Sequence, residues 1–212
     1  MRKYLVELIG AFFLVLVIAM SVASGTALAP LAIGLSLMVM VYMGGWVSGG
    51  HYNPAVSLAV LIRGKMEARD FIPYVLAQIA GSLSAAFAAA FMTGKALTVA
   101  PGADVSIGAA LLNEFLFTFA LALVVLCTAT AKKTSGNSYF GAAIGMTVCA
   151  GAFAGGGISG GAYNPAVGIG PIVHEAITAG KPLTHLWLYL VGPLAGGAVA
   201  AVVFRVLNSG EE

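Results

Sequence analysis

Charge is scarce in this chain. It has ten Lys or Arg and eight Asp or Glu among 212 residues, or 8%. A soluble domain carries about 25% charged residues, because a folded surface must be largely polar. A disordered chain needs low hydrophobicity and much charge. Soluble enzymes and disordered proteins are therefore both excluded. The net charge of +2 is too small to draw a nucleic acid. Cysteine is equally rare. Cys127 and Cys149 lie in apolar runs and read as small buried hydrophobes, not as a disulfide framework or metal site. HExxH, GxSxG and Cys/His clusters are missing, so no constellation supports a membrane enzyme, and no cofactor is implied.

Apolar residues make up 60% of the chain, and mean hydropathy is +0.99. That composition points to the bilayer. The 28 glycines suit membrane helices that pack closely. About 20 apolar residues cross the hydrocarbon core. Six such runs are found, near 4–24, 30–47, 70–92, 108–131, 139–156 and 184–206. Pro30 suits a first helical residue, and Asp70 suits a cap before Pro73. The first run contains Glu7 and no small-residue cleavage pattern, so it is not read as a signal peptide. Two half-length apolar stretches follow Asn53, to about 62, and Asn164, to about 173. Such pieces read as re-entrant segments, tolerated at membrane depth only inside protein or along a wet cavity.

Basic residues set the orientation. Arg2, Lys3, Arg63, Lys65, Arg69, Lys132, Lys133 and Arg205 fall on one side of a six-span arrangement; Lys95 and Lys181 fall on the other. The larger group marks the cytoplasmic side, which then holds both termini. The short termini leave little room for a regulatory domain. The small size and lack of a targeting segment favour a prokaryotic inner membrane.

The two halves repeat. Glu7 in YLVELIGAFFLVL matches Glu114 in LLNEFLFTFALAL, and SGGHYNPAV at 48–56 matches SGGAYNPAV at 159–167. AQIAGSLSAA at 77–86 aligns loosely with GPLAGGAVAA at 192–201. The chain is read as one channel domain of residues 1–212, with repeats at about 1–92 and 108–206. Three spans per repeat is odd, so the second copy enters the membrane in the opposite sense, and the site is expected where the broken helices meet. Pro54 and Pro165 can open the half-helices, and Asn53 and Asn164 can cap them. Each asparagine also has an NH2 to offer a lumen. The two N-terminal dipole ends would repel a cation while water or a hydroxylated solute accepts hydrogen bonds.

On these residues (Asn53-Pro54-Ala55, Asn164-Pro165-Ala166, the SGG leaders, Glu7, Glu114, Gln78 and Gly192-Pro193) the chain resembles the aquaporin, or major intrinsic protein, family over nearly its whole length. The resemblance implies an all-α membrane protein with six transmembrane helices and two re-entrant half-helices in an inverted repeat. It also implies one pore per subunit, a homotetramer in the lipid bilayer, and passive flow without a cofactor. Water channels of the family place an arginine directly after the second Asn-Pro-Ala; here that residue is Val167. Spacing carries the other filter positions to Ile33, Ala152 and Gly161, where water-selective members have an aromatic and a histidine at the first two. Glycerol-specific members place an acid after the arginine, and this chain has Gly168.

Losing arginine removes bulk, five donors and a fixed charge. The expected filter is wide and apolar, open to water and to urea, small polyols, ammonia or undissociated arsenous or boric acid. A water-selective channel, or a closed structural tetramer whose apolar neck dewets, stays open as an alternative. A secondary transporter would need an ion site that two symmetric acids do not supply.

Glu7 and Glu114 could carry protons, but their symmetry and the resemblance favour acceptors for backbone donors of the re-entrant loops. His51 can line the pore or brace a loop, with pH gating a lesser reading. Cys149 lies one helical turn before Ala152. It is read first as a packing residue, and also as a pore-lining target for thiol reagents. Tyr52 and Tyr163 are expected to pack the half-helices. The phenylalanines of the first and fourth spans are expected to face lipid or other helices, and His174, Glu175 and His185 to be solvated surface.

Overall fold

The computed structural model describes residues 1–210. Eight α-helices follow in order: α1 (Arg2–Ser24), α2 (Ala29–Ser48), α3 (Pro54–Ile62), α4 (Ala68–Thr93), α5 (Ile107–Val125), α6 (Phe140–Ser159), α7 (Pro165–Ala179) and α8 (Leu186–Leu207). Among the described residues there is no strand. Helix α5 runs on through a π turn, Leu126–Thr130, and a short 3₁₀ turn covers Lys132–Thr134. Six helices are long and apolar enough to cross a membrane; α3 and α7 are not among them.

The burial pattern is inside-out for a soluble protein. Trp46 and Phe91 are 86% and 92% exposed, while Glu7, Gln78, Ser82, Glu114 and Thr118 are fully buried. Lipid can cover the apolar outside, whereas buried polar groups need partners within the protein. The chain is an integral, multi-pass membrane protein. The start of α1 and the end of α8 lie on one face, because Lys65 lines a recess with Lys3 and another with Arg205 and Asn208.

Small residues let the spans approach. Gly81 of α4 lies on the backbone of α1 at Leu8 and Phe12, and Gly196 of α8 lies on the backbone of α5 at Phe115 and Phe119. The two contacts occupy matching places in the two halves. Gly34 and Gly145 likewise bring α2 and α6 together. Without a hydrophobic drive between helices in lipid, this close packing supplies the attraction.

Three local readings need correction. Asp70 does not cap α4, which starts two residues earlier with Glu67 at the cap position. Asp70 instead sits in the first turn, where it pairs with Lys3 and accepts from the Tyr4 hydroxyl at 2.6 Å. Its role is to tie α4 to α1. The second half-helix is longer than expected, ending at Ala179 before Gly180. The polar pair His174-Glu175 does not end it, because both residues are buried, at 4% and 7% exposure. They are not solvated surface: His174 packs edge-on to Phe87 of α4, with ring centroids 4.6 Å apart.

Gly81→Ala should lower the thermal midpoint in detergent, by about 1–3 kcal/mol of overpacking. Gly108→Ala, where an added Cβ meets nothing within 4 Å, should leave the midpoint unchanged.

Candidate functional site

The site begins with two loops held inside the protein. Gly49 and Gly50 (φ 90 and 63) turn the chain out of α2; Gly160 and Gly161 (φ 85 and 65) do the same after α6. Tyr52 and Tyr163 follow, both at φ 49. A non-glycine residue holds that conformation only when its surroundings impose it. Both rings are buried, and their hydroxyls donate to Met40 O at 2.8 Å and Gly151 O at 2.9 Å. Glycine at 44 and 155 makes room for those hydroxyls.

Two carboxylates hold the loops from behind. Glu7 Oε1 accepts from Ser48 Oγ (2.7 Å) and His51 N (2.9 Å); Oε2 accepts from Tyr52 N (2.7 Å) and Gln78 Nε2 (2.8 Å). Glu114 Oε1 accepts from Ser159 Oγ (2.6 Å) and Ala162 N (3.0 Å), and Oε2 from Tyr163 N (2.6 Å). Tyrosines of the third span in each half clamp the loop starts: Tyr74 Oη donates to Ser48 O (2.8 Å) and Tyr189 Oη to Ser159 O (2.6 Å).

The loops deliver the two asparagines to each other. Asn53 Oδ1 accepts from Ala55 N at 2.9 Å and from Val56 N at 3.4 Å, capping α3. Asn164 Oδ1 accepts from Ala166 N at 2.9 Å, capping α7. Pro54 and Pro165 are the first helical residues. Asn53 Nδ2 donates to Tyr163 O and Asn164 Nδ2 to Tyr52 O, both at 2.9 Å. Each side-chain amide has two N–H donors. One is committed across the seam, which leaves one per asparagine for an occupant. Ser82 Oγ further ties α4 to α7 through Ala166 O at 2.6 Å.

A cavity of about 310 Å³ lies beside this seam. Asn53 and Asn164 line it, together with Ile33, Ala152, Gly161 and Val167. His51 lines it too, and its Nδ1 lies 3.1 Å from Ser57 Oγ. Pro54, Ala55, Pro165 and Ala166 stay in the buried helix starts and do not line it. No charged side chain lines this cavity among the described residues. Two recesses share its walls. One of about 490 Å³ shares His51 and Val125 and opens among Lys3, Lys65, Glu67 and Asp70. Another, of about 220 Å³ on the opposite side, shares Thr98 and Val99. The central cavity thus borders both recesses.

Cys149 sits as the packing residue of its first reading, and its lesser reading as a lining residue is not met. It is 4% exposed and packs against Gly34 in the α2–α6 contact; Val148 and Ala152 line the cavity instead. Sequence reasoning missed Leu97, Thr98 and Val99, which reach the cavity from the loop after α4. Their signal was weak: nothing sets Leu97 and Val99 apart from the other apolar residues of the linker at 94–106.

The fold and this lumen define a passive membrane channel built on paired half-helices. The chain belongs to the major intrinsic protein family, whose description matches residues 1–204. That is a family of channels and facilitators for water and small neutral solutes, not of enzymes. It is 37% identical to "glycerol uptake facilitator protein-like 6" of Lactiplantibacillus plantarum, over 99% of each chain. It is 36% identical to aquaporin NIP1-3 of Oryza sativa, over 98% of this chain and 74% of that one. The aquaglyceroporin of Plasmodium falciparum superposes with a TM-score of 0.85 at 22% identity, over 96% of this chain and 94% of that one.

Two outcomes follow from this geometry. Glu114→Gln should destabilise the protein by about 1–3 kcal/mol, because an NH2 would then face a backbone donor; thermal unfolding in detergent measures it. Thiol reagents should leave water flux through the parent unchanged, while Val148→Cys should become blockable in the same proteoliposome assay.

Proposed function

We propose that the channel passes water and neutral solutes larger than water, selected at a wide apolar constriction formed by Ile33, Ala152, Gly161 and Val167. The observation that carries this reading is Val167 on the wall of a cavity without charged lining. Arginine at that place would narrow the lumen and add a positive charge with its donors. Here the polar features are the two asparagine amides, His51, Thr98 and backbone. Urea, small polyols, ammonia and undissociated metalloid acids such as arsenous acid fit such a wall. A dedicated glycerol facilitator fits less well, because a side chain on Gly168 would collide with Tyr189. The acid of the glycerol-specific pattern has no room there.

In this reading residues 1–212 act as one channel domain, its repeats at about 1–92 and 108–206. Glu7 and Glu114 brace the loops, and Asn53 and Asn164 are the central donors. The N-termini of α3 and α7 add positive potential beside them, which opposes cations and hydronium. The protein works as a homotetramer in a prokaryotic inner membrane, with both termini cytoplasmic, which the eight-to-two distribution of basic residues supports.

Stopped-flow light scattering on proteoliposomes tests the filter. Parent and Val167→Arg are compared under gradients of water, urea, glycerol and arsenous acid. The parent should pass the larger solutes. Val167→Arg should slow them about tenfold, an added barrier of about 1.4 kcal/mol, and keep water flow. A parent that passes water alone, or nothing, overturns the proposal.

A further inference from the structure

The half-helix α7 carries a buried carboxylate that the pore chemistry does not use. Glu175 lies beyond the turns that line the lumen, and its side chain is 9% exposed. One of its oxygens, Oε1, accepts from Thr98 Oγ1 at 2.8 Å and from Lys181 Nζ at 2.6 Å. Thr98 sits between Leu97 and Val99, which are 7% and 6% exposed and line the cavity. The next residue, Ala100, packs directly against Gly160, beside the filter position Gly161: an added Cβ on Gly160 would fall 2.9 Å from Ala100 O. The loop is also tied at its ends, by Lys95 Nζ to Ala23 O (3.0 Å) and Gly102 N to Ile158 O (3.1 Å). Between those ends, Glu175 holds the middle.

We infer that Glu175 is a positioning residue for solute selection: by fixing Thr98, it sets Leu97 and Val99 as the outer wall of the lumen. The inference rests on the neutral-solute reading above and adds a stretch of lumen wall beyond the four filter positions. The clasp also fixes what Thr98 can offer. Its hydroxyl hydrogen is committed to Glu175, so toward a solute it has only acceptor capacity. Solutes that bring their own donors, such as amides, polyols and undissociated acids, match that wall.

The test uses the full channel with Glu175→Ala, Glu175→Gln and Thr98→Val. Glutamine keeps a carbonyl acceptor for Thr98; alanine and the valine isostere do not. The first readout is hydrogen exchange of the segment 96–100 in detergent, which does not depend on any solute. Glu175→Ala and Thr98→Val should each speed it about tenfold, and Glu175→Gln should match the parent. The second readout is the urea-to-water flux ratio in proteoliposomes. It should rise about threefold or more in the first two variants and stay at the parent value with glutamine. Should Glu175→Ala fail to fold, Thr98→Val with Glu175→Gln decides the matter. Unchanged exchange, or faster exchange with an unchanged flux ratio, overturns the inference. Neither result bears on the Val167 filter, whose own failure shows in Val167→Arg.

Discussion

Irregular backbone inside a membrane protein must find hydrogen-bond partners within the protein, and the rest of this structure depends on how that is met. Residues 49–52 and 160–163 leave helical geometry at the heart of the bundle. Water cannot serve every amide there without flooding the packing, and lipid can serve none. Glu7 and Glu114 meet the need. A carboxylate is the one side chain with two acceptor oxygens and no competing donor. Each accepts two consecutive backbone amides, at 51–52 and 162–163. An isolated buried charge would be costly. Here the surrounding donors replace its water, so the same interaction solves the loop's problem and the acid's.

That solution fixes the lumen. With amides 51–52 and 162–163 turned back toward the glutamates, the tyrosines are forced into the left-handed region, and their carbonyls turn the other way. Those carbonyls then accept from the asparagine of the opposite half. The two half-helices are locked tip to tip by this exchange. Each asparagine is held at its oxygen by its own helix and at one N–H by the other loop. A side chain so restrained loses little further freedom when an occupant binds, which suits fast passage better than a free amide would.

The sequence made much of this legible, for identifiable reasons. Spans are long runs of one property, so six of them stand out, and their ends shift by only a few residues. The repeated YNPAV string carries its own mechanism, since asparagine before proline both caps and starts a helix. What stayed hidden depends on contacts between distant segments. Asp70 looks like a cap until Lys3 and Tyr4 are brought beside it. His174 and Glu175 look solvated because polarity in a linker normally means water; α4 and the loop at 97–100 cover them instead. Spacing allowed Cys149 both a packing and a lining reading, and only the α2–α6 contact through Gly34 decides for packing. The two tyrosines were expected to pack, yet nothing in their type announces a left-handed backbone.

The halves differ where symmetry is not needed to hold the fold. In the first half His51, Ser57 and Gln78 form a polar cluster around one loop, with Gln78 Nε2 on both Ser57 Oγ (3.0 Å) and Glu7. The matching residues of the second half are Ala162, Gly168 and Pro193, none with a polar side chain. Ser82 reaches Ala166 O through its hydroxyl, while its counterpart Gly197 lets the backbone at Ala55 come close. The carboxylate, tyrosine and asparagine bonds are kept in both halves, because the loops cannot exist without them. The polar cluster is kept in one only, which leaves the Val167 side of the lumen apolar. On the proposed filter, selectivity rests on Ile33 and on the part of the second half that the scaffold does not constrain, together with the loop at 97–100 that lines the same cavity. A change there alters what passes, whereas a change at either glutamate alters whether there is a channel at all.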